Sequence, residues 1–239
     1  MSFSQSLIKD AQPYLEANKR NSFIQDVISN RLSPDVLNYY IQQDLRYADA
    51  ETIVQTQLIT KSKTIEDQRL FADQLSAHLR TVSDLFEALT KNVKQDWSNQ
   101  RNQTIQPVTF LYREHILSQA REGSLLNVLA PFEAGIWMYI ELGKYLEATG
   151  KIKSGNNFYT WVQDVQDPDL AGPGGISNQF LAIIDREAEK ADQAQLAYVR
   201  KQFLRSCLLE WYFWDAASRQ LTWEDFDKLA FKNDGSGLL

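Results

Sequence analysis

The chain has 239 residues, 44% of them hydrophobic, with 31 acidic against 25 basic side chains and a formal charge of −6. That supports one large domain with a sizeable core, and with no basic run or basic helix face it argues against a surface that tracks nucleic-acid phosphates. The single cysteine, Cys207, excludes an intrachain disulfide or a cysteine-built zinc site within one chain. The lack of a signal-peptide core or a membrane-length apolar run leads us to expect a cytoplasmic protein.

In chain order, the first clear helix signal is Ser33-Pro34-Asp35, an N-cap, a proline at the first helical position and an acidic first turn. The helix it opens is predicted to run to about Lys61, and Thr64 to Asp67 starts another that reaches about Asn92. A polar loop, Trp97 to Thr104, precedes Pro107, which begins a helix that Gly123 interrupts. Ser124 restarts it, and the stripe Leu125, Val128, Phe132, Gly135, Tyr139, Leu142 and Leu146 carries it towards Gly150. A short helix over Phe158–Val165 follows, then the Gly/Pro-rich loop Asp167 to Gly175. Helices from about Ile176 to Lys190, Ala191 to Ser218 and Thr222 to Phe231 complete the pattern. The reading is all-α, about eight helices in a bundle, with a site between facing helices. Residues 1–239 are expected to form a single domain, with a mobile tail over about 233–239.

Two of these helices carry carboxyl groups where apolar side chains belong. Leu196, Val199, Phe203, Cys207, Glu210 and Trp214 recur at spacings of three or four, with Glu210 inside the stripe. Leu37, Tyr40, Asp44, Tyr47, Glu51, Val54 and Leu58 repeat the pattern. A carboxylate in an apolar stripe is either paired or raises its pKa and becomes neutral, and both suit acid–base chemistry in a pocket. A merely structural Asp44 would be paired with an arginine or hydrogen-bonded to Tyr47, and Glu51 is free to turn towards solvent at the helix flank. Cys207 lies three residues before Glu210 and reads most simply as a small core hydrophobe.

His78 and His115 fit no ligand spacing, and neither a Glu-x-x-His pair nor a His-x-x-x-His pair occurs. No metal or cofactor is therefore expected. The glycines Gly172 to Gly175 do not follow a strand and lack the lysine of a phosphate loop. Tyr47, Tyr112, Trp137 and Tyr139 fall near the acidic or glycine positions of the stripes. Such rings suit a planar heteroaromatic ligand, stacking on its face while a carboxyl group meets its ring nitrogens.

In order along the chain, Gln43-Asp44-x-x-Tyr47, Pro107 leading to Tyr112, Trp137-x-Tyr139-x-Glu141-x-Gly143, Trp161, and Glu210-x-x-Phe213-Trp214 resemble the TenA/thiaminase II family. The resemblance implies a haem-oxygenase-like all-α fold that usually binds no haem. It also implies hydrolysis of the exocyclic carbon–nitrogen bond of an aminopyrimidine derived from degraded thiamine, for pyrimidine salvage. Asp44 would then hydrogen-bond the aminopyrimidine edge, Tyr112 and Tyr139 would line and polarise the pocket, and Glu210 would move a proton to the leaving amine. The same resemblance implies a homo-oligomer, typically a tetramer.

Two positions depart from the family pattern. Its usual nucleophilic cysteine corresponds to Gly135, and a tyrosine after Trp161 corresponds to Val165. Cys207, one turn from Glu210, is the only thiol available to replace that nucleophile. The alternatives are a pyrimidine-binding protein that has lost the chemistry, or a haem-oxygenase-like redox enzyme with another substrate.

Overall fold

A computed structural model describes residues 1–231. Its helices are α1 (Phe3–Lys19), α2 (Ser22–Ile28), α3 (Pro34–Lys61), α4 (Ile65–Asn92), α5 (Pro107–Glu122), α6 (Leu125–Ala148), α7 (Tyr159–Val165), α8 (Pro168–Ala171), α9 (Ile176–Ala188), α10 (Gln193–Arg219) and α11 (Trp223–Phe231). A single 3-10 turn, Trp97–Asn99, lies in the polar loop before α5. The described residues contain no strand. The tail expected over 233–239 lies outside the described residues.

The helix starts form as their chemistry dictates. The side chains of Ser33, Thr64 and Ser124 each accept from a backbone N–H in the first turn of α3, α4 and α6, satisfying one of the orphan donors there. Gly123 separates α5 from α6 because a Cβ there would come within 2.7 Å of the Gln119 carbonyl oxygen. Two helices lie where the sequence assigned none, in the first 32 residues. α1 buries Leu7, Ala11 and Leu15 on one face although Pro13 interrupts its hydrogen-bond ladder. α2 is capped by Asn21 and buries Phe23, Ile24 and Val27. α8 is one turn inside the segment expected to be irregular, and α10 starts at Gln193 behind an Asp192 cap.

Packing places α3, α5, α6 and α10 around one interior, each touching the other three. α1 and α9 cover the far side of α6, while α4 packs along α3 and α7 bridges α6 and α4. By length and composition α6 is apolar enough to cross a membrane, but 78% of its most apolar window is buried inside the bundle, as a core helix requires. Gly143 lets α7 seat against α6: a Cβ there would stand 2.5 Å from both Val165 Cγ2 and Gln166 Nε2. Behind the interior, Tyr40 stacks on Trp214 with ring centroids 5.3 Å apart, and Phe158 stacks on Trp161 at 4.7 Å. This aromatic block fixes the start of α3 against α7 and α10.

Candidate active site

A cavity of about 630 Å³ opens between α3, α4, α6, α7 and α10. That is the size range of sites for small organic ligands, about 300–1,000 Å³. The helical period of α3 presents Asp44, Tyr47 and Glu51 to it in succession, because residues three and seven apart share a face. α6 contributes Gly135 and Tyr139, α7 contributes Trp161 and Val165, and α10 contributes Glu210 from the opposite side. The two acidic stripes do face one interior.

Glu210 is 1% exposed, and Tyr112 on α5 donates a hydrogen bond of 2.6 Å to its Oε1. Its Oε2 has no partner among the described residues. Burial pushes the Glu210 pKa well above the usual carboxylate range; the tyrosine bond works against this, and the charges of Asp44 and Glu51 add to it. Burial of this kind favours the protonated carboxyl group, which can give up its proton inside the cavity.

Asp44 has neither of the partners anticipated for a structural aspartate. Its Oδ2 accepts from Tyr40 at 2.7 Å, one turn earlier on α3, while Arg46 pairs with Asp49. Burial raises Asp44 to about 7, opposed mainly by the Tyr40 bond. Glu51, expected at a solvent-facing flank, instead lines the cavity and is raised to about 7 by burial. The Tyr47 ring lies 4.4 Å from that of Tyr112, so both hydroxyl-bearing rings converge beside Glu210.

Gly135 is the meeting point of these groups. A Cβ built there would lie 3.0 Å from Glu210 Oε1, 3.2 Å from Tyr112 Oη and 3.9 Å from Tyr47 Oη. The missing side chain lets the Glu210–Tyr112 pair press against the α6 backbone.

Three expected site residues, Trp137, Cys207 and Tyr112, do not line the cavity. Trp137, two residues from Tyr139 and therefore turned away from it, packs against Phe203 at 6.3 Å and does not line the cavity. Cys207 is fully buried outside the cavity lining, and burial together with the Glu210 charge pushes its thiol pKa up. A thiol so buried and so raised is held in its neutral, less reactive form, as a core side chain is. Tyr112 stands behind Glu210 and reaches the site through it.

Other residues enter the site without a signal in the sequence. Tyr40 reads as core from its stripe. His78 of α4 lines the cavity, with Nδ1 3.9 Å from Glu51 Oε2 and Nε2 3.4 Å from the Ala48 carbonyl. Only the packing of α4 on α3 makes it a site residue. His115 lies outside the cavity lining, with Nε2 2.9 Å from Ser206 Oγ. Among the described residues no group of three or more His, Cys, Asp or Glu side chains is arranged to hold a metal ion.

Comparison with known proteins accords with this geometry. The model of the TENA/THI-4/PQQC family matches residues 11–220. The chain is 25% identical over 225 residues to an aminopyrimidine aminohydrolase of Halalkalibacterium halodurans, covering 93% of this chain and 98% of that protein. An aminopyrimidine aminohydrolase of Staphylococcus aureus is likewise 25% identical over 227 residues, covering 94% and 97%. Among solved structures, a TenA homologue from P. horikoshii superposes with a TM-score of 0.81 at 16% identity, covering 92% of this chain and 99% of the other. Haem oxygenase-2 from Synechocystis gives 0.59 at 13% identity, covering 99% and 95%. Both likenesses identify the fold as the all-α, haem-oxygenase-like bundle.

Proposed function

The chain belongs to the TENA/THI-4/PQQC family, and on that premise we propose that it hydrolyses the exocyclic carbon–nitrogen bond of an aminopyrimidine related to degraded thiamine, returning the hydroxymethyl-pyrimidine for salvage. The observation that carries this reading is the buried Glu210, bonded to Tyr112 on one oxygen and bare on the other, in the wall of a cavity it shares with Asp44.

Asp44 serves recognition. A carboxyl group with its pKa near neutrality holds a proton in much of the population, so it offers one donor and one acceptor. That pair complements the amino group and adjacent ring nitrogen of an aminopyrimidine. Tyr40 fixes the carboxyl orientation through Oδ2. Tyr47 and Tyr139 bound the ring, and Trp161 closes the cavity beside Tyr139, their rings 5.1 Å apart.

Glu210 serves proton transfer. As the exocyclic C–N bond breaks, its electron pair goes to nitrogen, which takes the proton of the Glu210 carboxyl. A water oxygen then bonds to the exocyclic carbon, and the Glu210 carboxylate removes the proton that water sheds. With Gly135 in place of a thiol and Cys207 outside the cavity, water attacks directly and no covalent enzyme intermediate forms.

The test is incubation of the purified protein with 4-amino-5-aminomethyl-2-methylpyrimidine, following the hydroxymethyl product by chromatography. Product formation is expected. Absence of product, combined with thermal stabilisation by the same pyrimidine, would replace the hydrolase with a binding protein.

A further inference from the structure

Beyond Glu51 the cavity wall carries polar groups that the chemistry above leaves unused. Gln55 follows Glu51 by one turn of α3 and lines the cavity; it is 1% exposed, and its Oε1 has no hydrogen-bond partner among the described residues. Buried acceptors are nearly always satisfied, so a bare one beside a cavity points to a ligand donor. The Glu51 carboxyl also accepts no hydrogen bond among the described residues, and the His78 ring stands 3.9 Å from it. His78 has Nε2 near the Ala48 carbonyl. The tautomer that donates there leaves Nδ1 as an acceptor towards Glu51. Gln55 Oε1, the Glu51 carboxyl and His78 Nδ1 thus present acceptor positions to one part of the cavity.

Asp84, Asp164, Asp167 and Asp169 line the same cavity as Asp44, Glu51 and Glu210, against Arg80 as its one guanidinium, with no lysine, so acceptor oxygens predominate in its wall. The location also fits a substrate that extends past the scissile bond. Asp44 and Glu51 are seven residues apart on one helix, about 10 Å along its axis at 1.5 Å per residue. Both act on the Glu210 carboxyl that faces them. A pyrimidine held at Asp44 with its reacting carbon at Glu210 therefore directs its leaving group towards Glu51, with Gln55 one turn further along α3.

We infer that Glu51, Gln55 and His78 form a leaving-group subsite between α3 and α4, selective for an amine that donates hydrogen bonds. The inference rests on the aminopyrimidine reading and identifies the half of the substrate that reading leaves open.

The test compares two ligands that share the ring and differ in the group entering the subsite, 4-amino-5-aminomethyl-2-methylpyrimidine and its 5-hydroxymethyl counterpart. Affinities are measured by calorimetry on the full chain in a Glu210→Gln background, which prevents turnover, and kcat/KM for the aminomethyl compound is measured with Glu210 intact. Adding Glu51→Gln or Gln55→Leu is expected to weaken the aminomethyl ligand about tenfold and the hydroxymethyl ligand by less than about twofold, with kcat/KM falling by the same factor as the former. Equal losses for both ligands, or no loss for either, overturn the subsite while the pyrimidine reading stands. If neither the parent protein nor the Glu210→Gln protein binds either pyrimidine, the functional reading falls and the subsite falls with it.

Discussion

At the scale of single residues, a carboxyl group surrounded by apolar side chains is the feature from which the rest of the chemistry follows. Glu210→Gln keeps the shape and the Tyr112 contact but removes the transferable proton. Turnover is expected to fall by about 10²–10⁴-fold, with binding of the hydroxymethyl-pyrimidine changed little; a variant that retains turnover would remove Glu210 from the mechanism. Cys207 gives the contrasting prediction. Its thiol is buried outside the cavity, so Cys207→Ala is expected to leave kcat unchanged, and the native protein should resist thiol reagents until it unfolds. A large loss of kcat in that variant would restore the thiol as a participant. Both residues share one helix face in the sequence, separated by three positions. Only the packing of α3, α5 and α6 onto α10 sends one to the cavity and the other to the core.

At the scale of elements, the close seating of α7 on α6 holds one wall of the site. Gly143→Ala would gain up to about 1 kcal/mol of helix propensity. Its Cβ would meet the β-branched Val165 side chain at 2.5 Å, a contact that cannot yield without displacing α7. Overpacking of this kind costs about 1–3 kcal/mol, so net destabilisation is expected in urea unfolding. A lower kcat/KM should accompany it, because Trp161 and Val165 line the cavity from the same short helix. Unchanged stability and activity would show that α7 is not held by this contact. The main helices of this region were legible beforehand: the caps at Ser33, Thr64 and Ser124 and the break at Gly123 are local chemistry. α1 and α2 were not assigned. Pro13 breaks the pattern of one, and the seven residues of the other are too short to show a period.

At the scale of the whole molecule, buried acids shape the pH response. Asp44 and Glu51 are raised to about 7, and Glu210 and Glu133 are raised by burial as well. A carboxyl whose folded pKa exceeds its unfolded value binds more protons when folded, so stability is lost as pH rises from the unfolded pKa through the folded one. His78 and His115 are lowered by burial and act oppositely, but only below their unfolded pKa of about 6.5. Above that pH the histidines no longer oppose the carboxyl groups, and the raised Cys207 thiol acts in the same direction as pH approaches about 8.5. The melting temperature is therefore expected to fall between pH 6.5 and pH 8.5, at about 2–4 °C per kcal/mol lost, and the aminopyrimidine should reduce the fall. A melting temperature that rises across that interval would contradict the burial of these acids.

The all-α class, most helix starts, the acidic faces of α3 and α10, and the family motif are legible in the linear chain, because capping and helical period are short-range and motif order needs no folding. Tertiary structure decided which side chains those faces oppose. It put Tyr40 at Asp44 in place of an arginine or Tyr47, turned Glu51 and His78 into the cavity, and left Trp137, Tyr112 and Cys207 out of its lining. A helix face spans a wide arc, and neighbours on it diverge by tens of degrees. Only the helices packed against it determine which part of that arc meets the site.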